Sequence, residues 1–132
     1  MPDSQRGKHK VYIVDDDESV RRALGRLLRS AGLDHQAFGS GEEFFADAAD
    51  KSSGCLVLDL QMPLMSGNDL LARLRSRGMT IPVIALSAQD DSETRERARD
   101  LGAVVFFRKP VDDQALLDAI QWALGPRTPI RV

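Results

Sequence analysis

The chain has 132 residues and a net charge of −2 at pH 7, so one domain of about 100–150 residues accounts for its length and two full domains are excluded. Its 42% hydrophobic content is typical of a globular protein, and without a basic surface field or a long apolar segment we expect neither direct nucleic-acid binding nor membrane binding. A single cysteine, Cys55, and a polar N-terminus without a signal-peptide core predict a cytoplasmic location.

From Lys10 onward, segments with the period of a strand alternate with segments with the period of a helix. The first strand-like segment, 11–14, ends at three acidic residues, Asp15 to Asp17, and Asp17 is expected to cap the helix that follows. That helix has a continuous apolar face and ends at Gly32. The residues predicted to form the face are Val20, Ala23, Leu24, Leu27, Leu28 and Ala31.

The next segments are a weak strand, Leu33 to Phe38, and a helix that Ser40 and Glu43 open with the spacing of a capping box. The residues of this helix predicted to face inward are Phe44, Phe45 and Ala48. A short apolar run, Cys55 to Leu58, has the length and composition of a strand buried on both faces. It ends at Asp59, so a second strand is followed directly by an acid.

A third helix and a fourth strand follow the loop at 61–66. The helix ends at Gly78, and its buried face is predicted to contain Leu70, Leu71 and Leu74. The strand, Ile81 to Leu86, ends at Ser87. Pro82 suits the beginning of this strand, where no ladder hydrogen bond is lost.

The last three elements are a polar helix, a strand and a final helix. The polar helix at 92–100 has only Ala98 and Leu101 as an apolar stripe, so we expect it to be the most loosely held helix. Ala103 to Phe107 is predicted to be a buried strand. The final helix begins at Asp112. Its inward face is predicted to consist of Leu116, Ala119, Ile120 and Ala123.

Five strands alternating with five helices predict an α/β fold with a doubly wound parallel sheet covered on both faces. The domain is expected to span 10–124, with a flexible N-terminal tail at 1–9 and a tail or the start of a linker at 125–132. In such sheets, ligands bind outside the carboxyl ends of the strands. The polar residues at those ends are Asp15, Asp16, Asp59, Ser87 and Lys109.

Three acids at neighbouring strand ends indicate a cation site. Any one of them could simply cap the next helix, but if Asp15, Asp16 and Asp59 converge, their mutual repulsion calls for a cation. Mg²⁺ fits because it binds one or two carboxylates, keeps several waters and leaves positions open for phosphate oxygens. Lys109 has two interpretations, a structural ion pair or a contact to an anionic ligand.

Two enzyme classes compete with this interpretation. A dinucleotide-binding enzyme would have a glycine-rich turn after the first strand, whereas that turn is acidic here, with the sequence DDDES. A phosphoaspartate hydrolase also uses a strand-end aspartate with Mg²⁺, but it needs a second aspartate two residues later as acid and base. Gln61 stands at that position, so rapid turnover of external phosphate esters is not expected.

Four segments in this order, VYIVDDDE, VLDLQMPLMSG, VIALSA and FFRKP, resemble the receiver domain of two-component response regulators. The resemblance covers Lys10 to about Leu124, and within the family the sequence looks most like regulators of the nitrogen-fixation type. It implies a flavodoxin-like fold with strand order 2-1-3-4-5. It also implies that Asp59 accepts a phosphoryl group from a sensor histidine kinase or a phosphotransfer protein. The chain would then be a signalling domain that assists its own phosphorylation and dephosphorylation, and not an enzyme acting on external substrates.

The resemblance assigns a role to each strand-end residue. Mg²⁺, or Mn²⁺ in its place, would be held by Asp15, Asp16, Asp59 and the backbone carbonyl of Gln61, with Asp16 as a direct ligand. Ser87 and Lys109 would contact the phosphoryl oxygens, Ser87 and Phe106 would form the switch, and the bond before Pro110 would be cis. Ser87 stands where threonine is commoner, so the methyl that stiffens threonine is missing. Gln61 and Gln89 stand where residues tune the lifetime of the phosphoryl group.

Receivers usually signal through the face formed by the fourth helix, the fifth strand and the fifth helix. Trp122 should be partly exposed on that last helix, as an interface anchor or as a residue at the edge of the core. A phosphorylation-dependent homodimer, a separate partner and an effector domain beyond Val132 stay open as outputs. The alternative function is a receiver-like protein-interaction module that is not phosphorylated.

Overall fold

The computed structural model describes residues 10–47, 50–89 and 92–125, and it confirms the predicted α/β architecture. Its five strands form one parallel sheet in the order β2-β1-β3-β4-β5. The strands are β1 (Val11–Val14), β2 (His35–Phe38), β3 (Cys55–Asp59), β4 (Val83–Ser87) and β5 (Ala103–Arg108). The expected N-terminal tail at 1–9 and all but the first residue of the C-terminal segment at 125–132 lie outside the described residues.

Five helices connect the strands, and polar side chains begin four of them. They are α1 (Glu18–Ser30), α2 (Gly41–Ala46), α3 (Gly67–Ser76), α4 (Ser92–Asp100) and α5 (Asp113–Leu124). The N-caps of α1, α2, α3 and α5 are Asp17, Ser40, Ser66 and Asp112, each accepting a hydrogen bond from a backbone N–H of the first turn. Gly32, Gly78 and Gly102 follow α1, α3 and α4 with positive φ, the backbone conformation that commonly ends a helix. The local signals in the sequence therefore set most of the helix limits.

The helices cover both faces of the sheet, as expected for a doubly wound fold. The core on one face joins the strands to α1 and α5, and its helical residues are Leu24, Leu28, Leu116, Ile120 and Ala123. The core on the other face joins the strands to α2, α3 and α4, and its helical residues are Phe44, Leu70, Leu71, Leu74 and Ala98. Every residue of β1, β3 and β4 is buried, including Cys55. In the described part of the chain, no helix is long and apolar enough to cross a membrane.

Two predictions about burial are wrong. The strand β5 was expected to be buried, but it lies at the edge of the sheet with one neighbouring strand, and Val104 is 42% exposed. In α1, Ala23 is exposed and Gly25 is buried in its place. Gly25 lies against β2, where a Cβ on this residue would come to 3.0 Å from His35 Nε2. A glycine at this position therefore allows α1 and β2 to approach closely.

Smaller differences concern element limits. The strand β2 begins at His35 and not at Leu33, and β4 begins at Val83 and not at Ile81. The helix α4 has the predicted limits and buries Ala98 alone, in agreement with its short apolar stripe. The predicted inward position of Ala48 lies outside the described residues.

Arg75, near the end of α3, ties three segments of the chain together. Its guanidinium donates hydrogen bonds to the carbonyl oxygens of Met79 (2.8 Å) and Ile81 (3.2 Å) in the segment leading to β4. It also donates to the carbonyl oxygens of Leu101 (2.9 Å) and Gly102 (3.0 Å) in the turn after α4. Burial lowers the pKa of Arg75 from its ordinary value. Arg75 thus satisfies four carbonyl groups that no helix or sheet ladder uses.

Lys51 is a buried charge beside the same core. Its Nζ donates to the backbone oxygen of Asp47 at 2.9 Å and lies 3.2 Å from the Asp47 carboxylate. The ammonium also lies 5.1 Å from the centroid of the Phe44 ring, 5.7 Å from that of Tyr12 and 6.0 Å from that of Phe38. These contacts compensate for removing the charge from water.

Candidate functional site

The ends of β1 and β3 bring the three predicted acids together. The two strands are parallel neighbours with Val14 paired to Leu58, so the residues that follow them, Asp15 and Asp59, come out side by side. Asp15 is 2% exposed and Asp59 is 4% exposed, whereas Asp16 is exposed. One carboxylate oxygen from each of the three lies within 4.8 Å of the others. Hard oxygen ligands at this spacing fit a divalent cation such as Mg²⁺.

The electrostatics of the cluster also favour a cation. Burial raises the pKa of Asp59 to about 6, and the charge of Asp15 adds to this effect. The Gln61 N–H, which donates to Asp59 Oδ1 at 3.1 Å, and the Lys109 ammonium act in the opposite direction. These two groups do not fully offset burial and repulsion, so the pKa of Asp59 stays raised. A further cation beside the buried carboxylates would stabilise their ionised form.

Lys109 enters the site from the end of β5. Its Nζ donates to Asp15 Oδ2 at 3.0 Å and lies 3.5 Å from Asp59 Oδ1. Burial alone would lower the pKa of Lys109, but the contacts with Asp15 and Asp59 outweigh burial and raise it. The residue is therefore a cation at neutral pH that faces the predicted phosphoacceptor. The Lys109–Pro110 peptide bond is cis.

The end of β4 contributes a buried hydroxyl and a contact that the sequence did not reveal. Ser87 Oγ lies 2.9 Å from Gln61 Oε1 and 3.0 Å from the Gln89 carbonyl oxygen, and its single proton can be donated to either acceptor. The Ala88 N–H also donates to Gln61 Oε1, at 2.9 Å. The sequence predicts that Gln61 supplies a backbone carbonyl as ligand and stands where residues tune the lifetime of the phosphoryl group, but it predicts no contact between its side chain and β4. No local signal marks its side chain as a partner of residues 26 and 27 positions away.

Asp17, the third acid of the DDD segment, caps α1 and does not belong to the cluster of Asp15, Asp16 and Asp59. Asp17 Oδ1 accepts hydrogen bonds from the Ser19 hydroxyl at 2.7 Å and the Ser19 N–H at 2.9 Å. These bonds lower the pKa of Asp17. Asp15 Oδ1 accepts from the Asp17 N–H at 2.9 Å, which orients the buried carboxylate. The prediction that Asp17 caps α1 is confirmed.

The remaining predicted residues lie on the α4, β5 and α5 side of the molecule. Phe106 is partly buried on β5, paired with Ala85 two residues before Ser87. The Arg95 guanidinium of α4 lies 4.9 Å from the Phe106 ring centroid. Trp122 is 48% exposed on α5. Phe106, on the strand next to the one that carries Ser87, is therefore in direct contact with α4, the most weakly buried of the described helices.

The sequence matches the family described as "Response regulator receiver domain" over residues 11–121. The chain belongs to the response regulator receiver domain family. The receiver is 43% identical to the Response regulator protein TodT of Pseudomonas putida over 114 residues, which cover 86% of this chain and 50% of TodT. It is 39% identical to the Transcriptional regulatory protein FixJ of Rhizobium meliloti (strain 1021) over 115 residues, which cover 87% of this chain and 56% of FixJ.

The solved structures agree with this assignment. The crystal structure of FixJ-N superimposes on the receiver with a TM-score of 0.83 and 37% sequence identity, covering 92% of this chain and 98% of that one. The expected resemblance to regulators of the nitrogen-fixation type is thus confirmed. The chain spans about half the length of the curated relatives that it matches.

Proposed function

We propose that this receiver accepts a phosphoryl group on Asp59 from a sensor histidine kinase or a phosphotransfer protein, in a reaction that requires Mg²⁺. The observation that carries the proposal is the buried Asp59 carboxylate, within 4.8 Å of two further acids and 3.5 Å from an ammonium. Family membership alone does not distinguish a phosphorylated receiver from a module that only binds proteins. The charged groups around Asp59 favour the former.

In the proposed reaction, the protein orients the Asp59 carboxylate toward the phosphorus and supplies positive charge to the phosphoryl oxygens. An ionised oxygen of Asp59 forms a bond to phosphorus while the phosphorus–nitrogen bond of a phosphohistidine breaks, and the electron pair of that bond returns to the imidazole. Lys109, whose Nζ lies 3.5 Å from Asp59 Oδ1, would contact a phosphoryl oxygen on Asp59, and Ser87 would offer a second contact from β4. Mg²⁺, held by Asp15, Asp16, Asp59 and the Gln61 carbonyl, would supply the positive charge that the cluster lacks, and Mn²⁺ would substitute for it.

The proposed output is a change in the surface formed by α4, β5 and α5. Contact between Arg95 and Phe106 links that surface to the strand next to Ser87, and Trp122 offers an exposed aromatic anchor on it. A homodimer, a separate partner or an effector domain in a longer protein would read this surface. The receiver is proposed to act in the cytoplasm, with the domain at 10–124 and the flanking segments as tail or linker.

Intact-mass measurement tests the proposal directly. The protein is incubated with Mg²⁺ and a small phosphodonor, and we expect the mass of one added phosphoryl group. Asp59→Asn should abolish the gain, while Asp118→Asn, which changes an exposed carboxylate of α5, should leave it intact. Absence of any mass gain in the wild type would favour the non-phosphorylated interaction module. A gain that persists in Asp59→Asn would place the acceptor elsewhere.

A further inference from the structure

Gln61 contacts the ends of two strands at the site, one through its side chain and one through its backbone. Its amide oxygen accepts from the Ala88 N–H at 2.9 Å and lies 2.9 Å from Ser87 Oγ, both at the end of β4. The backbone N–H of Gln61 donates to Asp59 Oδ1 at 3.1 Å, at the end of β3. One residue therefore contacts the carboxylate that would be phosphorylated and the hydroxyl that would meet the phosphoryl group.

Two hydrogen-bond donors converging on one oxygen form a small oxyanion site. Here a neutral amide oxygen occupies it, held by the Ala88 N–H and the Ser87 hydroxyl. An oxygen of a phosphoryl group on Asp59 carries charge and is the stronger acceptor for the same donors. Gln61 is only partly buried, so its side chain can rotate toward solvent and release them.

We propose that the Gln61 side chain is a latch that holds the Ser87 hydroxyl and the Ala88 N–H in the unphosphorylated receiver and must leave before they can bind a phosphoryl oxygen. This inference rests on the proposed phosphorylation of Asp59. The latch adds to the free energy that the switch costs, because the contacts that Gln61 makes must be broken before the donors can bind the phosphoryl group. Ser87 keeps its second acceptor, the Gln89 carbonyl, so releasing the latch does not leave the hydroxyl unpaired.

The test measures the affinity for beryllofluoride, a non-covalent analogue of the phosphoryl group, in the presence of Mg²⁺. Gln61→Met keeps the length of the side chain but removes its acceptor. It should bind beryllofluoride about fivefold more tightly than the wild type, the factor expected for one neutral hydrogen bond that no longer has to be broken. Gln121→Met makes the same change at an exposed position of α5 and should leave the affinity unchanged.

A second readout separates the latch from a general structural role. The Ala88 amide proton should exchange with solvent faster in unphosphorylated Gln61→Met than in the wild type, while amide protons within β3 keep their protection. In a Ser87→Ala background the effect of Gln61→Met on affinity should shrink, because one of the two donors is gone. Equal or weaker beryllofluoride binding by Gln61→Met would overturn the latch. A wild type that binds no beryllofluoride would overturn the phosphoacceptor function itself.

Discussion

Replacing Asp59 with asparagine should stabilise the metal-free receiver at neutral pH. The carboxyl group is 4% exposed, and burial together with Asp15 raises its pKa from 3.8 to about 6. The folded protein therefore holds this proton more tightly than the unfolded chain does, so ionising Asp59 costs folding free energy. A difference of about two pKa units corresponds to about 3 kcal/mol at most. The attraction of Lys109, 3.5 Å away, is already part of this shift. Since side chains and water around the charge relax in the folded protein and reduce its cost, we expect a net gain of about 1–2 kcal/mol.

The sign of the pH dependence follows from the direction of the shift. Below about pH 4 the carboxyl is protonated in both states, and its ionisation costs the wild type nothing. As the pH rises from about 4 to 6, the unfolded chain releases this proton first, and the free energy of unfolding of the wild type falls relative to Asp59→Asn. Above about pH 7, where the carboxyl is ionised in both states, the difference between the two proteins is constant.

Urea unfolding in the presence of a chelator measures this difference. The wild type, Asp59→Asn and the control Asp118→Asn are compared at about pH 4.5 and about pH 7.5. The advantage of Asp59→Asn should be small at the lower pH and full at the higher one, and the control should follow the wild type. An Asp59→Asn protein that is less stable at the higher pH, or an advantage independent of pH, would refute the reasoning.

Three further changes test the metal site, the switch and the core. Mg²⁺ should raise the melting temperature of the wild type, and Asp16→Ala should remove most of the rise; an equal rise in both would refute Asp16 as a ligand. Phosphorylated receiver should associate at lower concentration than unmodified receiver in sedimentation, and Phe106→Ala should reduce this difference while leaving phosphorylation intact; identical curves with and without the phosphoryl group would exclude a dimer as output. Arg75→Met should lower the free energy of unfolding by about 2–4 kcal/mol in urea, because four carbonyl groups lose their donor; a loss no larger than that of Arg26→Met, an exposed position of α1, would show that these bonds contribute little.

Periodicity and the order of the elements predicted the α/β fold and the edge of the sheet that carries the site, whereas the strand order came from the resemblance to receiver domains. Each strand end in a parallel sheet lies at the same edge, so acids after β1 and β3 had to be neighbours once the strand order was known. The limits of α4 and the caps at Asp17 and Ser40 followed from residue types with strong positional preferences.

The remaining features depend on contacts that periodicity does not contain. The exposure of Val104 follows from the edge position of β5, since an apolar strand has the same sequence pattern whether one neighbour or two cover it. The contacts of Arg75 and Gln61 join residues more than 20 positions apart, and a polar side chain gives no sign of which distant carbonyl or N–H it will reach. Lys51 likewise stands in a polar segment, and only the packing of three rings around it shows that it is buried.

The hydrogen bonds of Arg75 anchor α4 at its C-terminal end. They fix the turn at Leu101 and Gly102 that follows the helix, and the one buried residue of α4, Ala98, lies close to the same end. A helix of nine residues is about 13 Å long. A rotation of about 10° around the Arg75 end therefore displaces the start of α4 by about 2 Å while its end stays in place. The start of α4 follows the segment that carries Ser87, so an adjustment at the hydroxyl would move the start of the helix most and its Arg75 end least.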